Sequence, residues 1–65
     1  MTLEKARELI STQASMGGVY NRNGARLILA EVQREHGQDA ADQLIREFDL
    51  ENLFGFKPGT AFKAP

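Results

Sequence analysis

Leu53-Phe54-Gly55-Phe56-Lys57-Pro58-Gly59-Thr60-Ala61-Phe62 holds three of the four phenylalanines in the chain. They come after the last helix-like pattern has ended, in the least regular stretch. A domain of 65 residues buries only about 60% of the surface of its unfolded chain, so it has few large side chains to spare. The aromatic stretch must therefore close the core, hold a partner, or do both. We expect core closure first, because a buried phenylalanine contributes about 2 kcal/mol and the preceding helices supply mostly alanine, leucine and isoleucine. Any part of Phe54, Phe56 and Phe62 left uncovered becomes a candidate patch for a second copy or another protein. Pro58 and Gly59 occupy the two central positions of a type II turn, a geometry that twists flanking strands the wrong way for a hairpin. The tail, 55–65, is expected to be ordered but not a strand pair.

Working back from the tail, Asp49 separates Phe48 from Leu50-Glu51-Asn52-Leu53. An N-cap there puts Phe48 and Leu53 at the two positions of a hydrophobic staple, so a break and a short helix over about 50–54 are expected. The helix before it, about 39–48, carries a stripe of Ala41, Leu44, Ile45 and Phe48, with Asp39 as its candidate cap. Asp42 and Arg46 form a favourable i,i+4 pair on its polar side, which reads as surface decoration. Further back, Ala25, Ile28, Leu29, Val32 and His36 form the main stripe of a helix over about 23–36, stopped by Gly37. Leu27 lies off that stripe. Burial on a second side of a central helix is the simpler expectation, and an interface is the alternative.

The first helix spans about 3–15, with Leu3, Ala6, Leu9, Ile10 and Ala14 at threes and fours and Thr2 as cap. Gly17 and Gly18 are expected to end it and to form a turn. The fold class that follows is all-α: a three-helix bundle with a short fourth helix and an ordered aromatic tail crossing it, in one domain over 1–65.

Composition narrows function mainly by exclusion. With no cysteine and one histidine, the chain cannot assemble a closed zinc site, and no cofactor motif is present. A charge of −1 gives no bulk attraction to nucleic acid or an anionic membrane. The charged, helical start of the chain does not read as a secretory signal, and no apolar run approaches the roughly 20 residues of a membrane span. A cytoplasmic setting is the expectation. Catalysis is not expected either: Ser11, Thr12 and Ser15 could be imagined beside His36, but the histidine has no orienting partner in the pattern.

Two surfaces remain. Around Gly17-Gly18, the residues Tyr20, Asn21, Arg22, Asn23 and Arg26 crowd a helix start, where amides and guanidinium groups suit an anion or a nucleic acid. The bland account is that an asparagine caps the helix and the arginines meet water or acids. The other surface is Leu27 with the tail phenylalanines, which suits another protein or the chain itself. An interaction module without enzymatic activity, possible as a homodimer, is the first reading, and a small nucleic-acid-binding regulator is the second.

Overall fold

Stripes of apolar residues, broken twice by glycine and once at Phe48 and Asp49, give four helices in the computed structural model, which describes residues 1–62, the side chain of Val19 excepted. They are α1 (Leu3–Met16), α2 (Gly18–His36), α3 (Gln38–Glu47) and α4 (Leu50–Phe54). Lys63, Ala64 and Pro65, the end of the expected tail, lie outside the described residues. Among the described residues there is no strand, and no helix is long and apolar enough to cross a membrane.

Thr2 caps α1 as its position suggests, its hydroxyl accepting from the Lys5 amide at 3.0 Å. At the other end one residue, Gly17, separates α1 from α2. Gly17 and Gly18 both have positive φ, 67° and 85°, a region that a Cβ makes costly, so the reversal is made by glycine alone. The expected start of α2 near residue 23 is thereby corrected to Gly18. The polar segment 20–24 is the first turns of the helix and not a loop. Asn21 turns its amide back onto the Gly17 carbonyl, and Gly24 marks a close approach of helices: a Cβ there would lie 2.8 Å from Oε1 of Gln13.

The next reversal repeats this economy. Gly37, at φ 94°, closes α2 through its amide to the Gln33 carbonyl and sits at the N-cap of α3 without any side-chain cap. Asp39 is therefore not the cap. It lies in the first turn, where its carboxylate still faces the positive end of the helix dipole.

Between α3 and α4 the break falls at Phe48 and Asp49 as expected, with a different cause. Asp49 adopts the left-handed conformation, φ 53° and ψ 44°, and makes no capping bond. Its carboxylate accepts instead from the Asn52 amide at 3.0 and 3.1 Å. The staple is not formed as anticipated, because Leu53 is 45% exposed and Leu50 is the residue buried completely. Gly55 ends α4 in the left-handed region, its amide on the Glu51 carbonyl as in an αL ending, and the Phe56 amide reaches the Leu50 carbonyl.

The core forms where these stripes meet. Ala6 and Ile10 from α1, Ala25, Leu29, Ala30 and Val32 from α2, Ala41, Leu44 and Ile45 from α3, and Leu50 beside them are all buried. Phe48 is packed against this cluster and half-buried. Arg7 and Glu47 tie α1 to α3 across the bundle, the guanidinium Nε meeting the carboxylate at 2.8 Å. At the end of α2, Met1 folds back so that its carbonyl lies 2.8 Å from Nε2 of His36. His36 is itself exposed and no part of the core stripe.

Candidate functional site

The tail is a strap with few large side chains outside it. Phe54, Phe56 and Phe62 are only 7%, 4% and 9% exposed, which makes them core residues of the monomer and removes them as exposed anchors for a partner. Their rings touch in sequence: Phe54 and Phe56 centroids are 6.0 Å apart, and Phe56 meets Phe62 edge to face at 5.5 Å, a favoured arrangement of the ring quadrupoles.

Polar side chains from the helices hold the strap's backbone, which has no helix or sheet of its own to satisfy it. The Pro58-Gly59 turn closes as expected, the Thr60 amide donating to the Lys57 carbonyl at 3.2 Å. Asp42 then accepts the Gly59 amide at 2.7 Å and a Gln38 amide proton at 2.8 Å. The Gly59 bond, seconded by Gln38, holds the Asp42 carboxyl below the usual aspartate range. Arg46, one turn on, lowers it further, so the expected pairing stands, but Asp42 is more than surface decoration: it anchors the tail. Gln33 works from α2, accepting the Phe62 amide at 2.8 Å and donating to the Thr60 carbonyl at 2.9 Å. Gln38 donates to the same carbonyl at 3.2 Å. Among the described residues no buried side-chain nitrogen or oxygen lacks a partner.

The basic cluster is divided by the helix that carries it. Arg22 belongs to the strap: its Nε donates to the Phe54 carbonyl at 2.9 Å, at the negative end of α4, and its guanidinium lies 4.8 Å over the Phe56 ring. Asn21 is turned to Gly17, as above. Arg26 is partly buried and is likewise engaged. Tyr20, 90% exposed, and the exposed Asn23 face outward, and Arg22 is exposed too although its Nε is held by the strap. At about 100° per residue, neighbours in a helix cannot share a face, so the five residues do not converge on one anion.

Leu27 shares the outward side with Tyr20 and Asn23. It is 46% exposed, so the expectation that a second side of α2 is buried fails at this residue: the tail passes beside Leu27 without covering it. An open cleft of about 570 Å³ lies there, lined by Leu27, Ala30, Glu31, Gln33, Arg34 and Phe62. Leu3, Met16 and Leu53 are also exposed, but they belong to α1 and α4. Tyr20 and Leu27 stand seven residues apart on one helix, which is two turns along the same face.

Thr12, Ser15 and His36 are each engaged locally. The hydroxyls of Thr12 and Ser15 donate to carbonyls of their own helix at 3.2 and 3.0 Å, and the His36 ring faces Met1. Among the described residues no three histidine or acidic side chains gather as metal ligands would. What sequence reasoning missed is Gln33, Gln38 and the tail-anchoring role of Asp42. The i,i+4 spacing of Gln38 and Asp42 was a signal of a pair, but nothing in the pattern pointed to the tail.

No family model, curated protein or solved structure matches this chain.

Proposed function

We propose that the chain is a non-enzymatic protein-interaction module that docks through the outward face of α2. One observation supports this most directly: a molecule that buries Phe54, Phe56 and Phe62 leaves Tyr20 and Leu27 exposed on one face, beside an open cleft. Exposed aromatic and aliphatic side chains on a rigid helix, rimmed by Glu31 and Arg34, have the composition of a small interface: apolar centre, charged edge. The partner is another protein or the chain itself. A cysteine-free sequence fits a reducing compartment, and the proposed setting is the cytoplasm.

Nucleic-acid binding is the weaker reading, because Arg22 is occupied by the strap and Arg26 is partly buried. A photoreactive side chain in place of Leu27 tests the choice, with the same group at exposed Gln43 on α3 as control. Protein adducts at position 27 and none at 43 support the module. Sedimentation with duplex DNA or single-stranded RNA supplies the opposing outcome. Complexes that weaken steeply with salt, and that Asn23→Ala with Arg26→Ala abolishes, would overturn it.

A further inference from the structure

We infer that the partner is a second copy of the chain, paired through α2 in antiparallel register about a two-fold axis at Leu27. This rests on the reading of α2's outward face as the docking surface. Tyr20, Asn23, Leu27, Glu31 and Arg34 lie within roughly 40° either side of Leu27 around the helix. They are also symmetric along it, seven and four residues before Leu27 and four and seven after. A two-fold axis therefore brings Leu27 to the partner's Leu27, Asn23 level with the partner's Glu31, and Tyr20 level with the partner's Arg34.

The chemistry at each level is complementary. Leucine meets leucine at the centre. Glu31 accepts from an asparagine amide. The Arg34 guanidinium, 75% exposed and held to Glu31 only by a 3.6 Å contact, is available to stack on a tyrosine ring that is 90% exposed. No like charges face one another. A parallel pairing fails on this count, since it sets Glu31 against Glu31 and Arg34 against Arg34. The cleft beside Leu27 leaves room for the partner's side chains between Ala30 and Phe62. The stripe is about 21 Å long, so the interface belongs with small, reversible ones and the dimer forms with rising concentration.

The absence of cysteine makes disulfide trapping clean. Facing residues at the centre of a close helix pair lie within the 4.4–6.8 Å between Cα atoms that a disulfide spans, whereas the two copies of Tyr20 lie about 21 Å apart along the axis. Under mild oxidation Leu27→Cys should form covalent dimer at least about tenfold faster than Tyr20→Cys or Arg34→Cys alone. A mixture of the last two should give the mixed dimer rapidly. Helicity by circular dichroism should be unchanged in all three, since each side chain is at least partly exposed. Equal rates at all positions, or self-trapping of Tyr20→Cys and Arg34→Cys each alone, would overturn the register. Sedimentation equilibrium supplies the independent check: the unmodified chain should associate near millimolar concentration and Leu27→Glu should weaken this at least about tenfold. A chain that stays monomeric there overturns self-pairing, while the module reading is decided separately by the photoadducts at position 27.

Discussion

Two segments of this chain look like loops in sequence, and the fold treats them in opposite ways. Residues 55–62 have no helix or strand, yet they are buried at Phe56 and Phe62 and bonded along their backbone to Gln33, Gln38 and Asp42. Residues 20–24, rich in glycine and asparagine, are regular helix, and Tyr20 among them is almost fully exposed. Regularity and burial are thus separate properties. A segment can be irregular and central when neighbours complete its hydrogen bonds, and regular and peripheral when its own helix does so. The first kind should be costly to disturb and the second nearly free to change.

The largest effect that would sharpen this contrast is expected at Phe56. Its ring meets Phe54, Phe62 and Arg22, and Phe56→Ala should cost about 3–4 kcal/mol through lost burial and the cavity left behind. Thermal melting should fall by about 12 to 32 °C. A loss under 1 kcal/mol would mean the strap is detachable. Next in size is Gln33→Ala, which leaves the Phe62 amide without its side-chain partner and the Thr60 carbonyl with Gln38 alone, and should cost about 1–2 kcal/mol in denaturant unfolding.

A smaller effect should appear in acid. The Asp42 carboxyl is lowered in the folded state, so its contribution is complete above its ordinary value of 3.8 and is lost as pH falls through the lower folded value. The Gly59 amide resonance should shift below that pH and not above it, and Asp42→Asn should remove the step. Smallest of all is Tyr20→Ala, expected within about 0.5 kcal/mol of the parent because the ring is exposed. A loss of 2 kcal/mol there, in monomer at low concentration, would break the comparison.

Features that depend on neighbours close in sequence were legible. The stripe of Ala41, Leu44 and Ile45, the Thr2 cap, the Pro58-Gly59 turn and the break at Phe48 and Asp49 all follow from rules spanning a few residues. The start of α2 was misread because asparagine and glycine usually mark turns, and nothing local reveals that Gly24 packs beside Gln13. The strap's anchors were illegible for the same reason, since Gln33 finds its partners 27 and 29 residues away. At the candidate surface, Leu27 stood out by falling off its stripe. Its exposure depended on where the tail passes, which no periodicity encodes.

The contact of Arg22 with the Phe54 carbonyl, across 32 residues, has a consequence in time. Helices α1 to α3 form from neighbouring turns and short links, whereas the strap has nothing to dock on until α2, α3 and α4 are in place. Loop closure on that scale comes after local pairing in the order of folding. Strap docking is therefore expected to be the last step of folding and its release the first of unfolding. Substitutions at Phe62 should accelerate unfolding and leave the folding rate nearly untouched, so the strap governs how long the native state lasts more than how quickly it is reached.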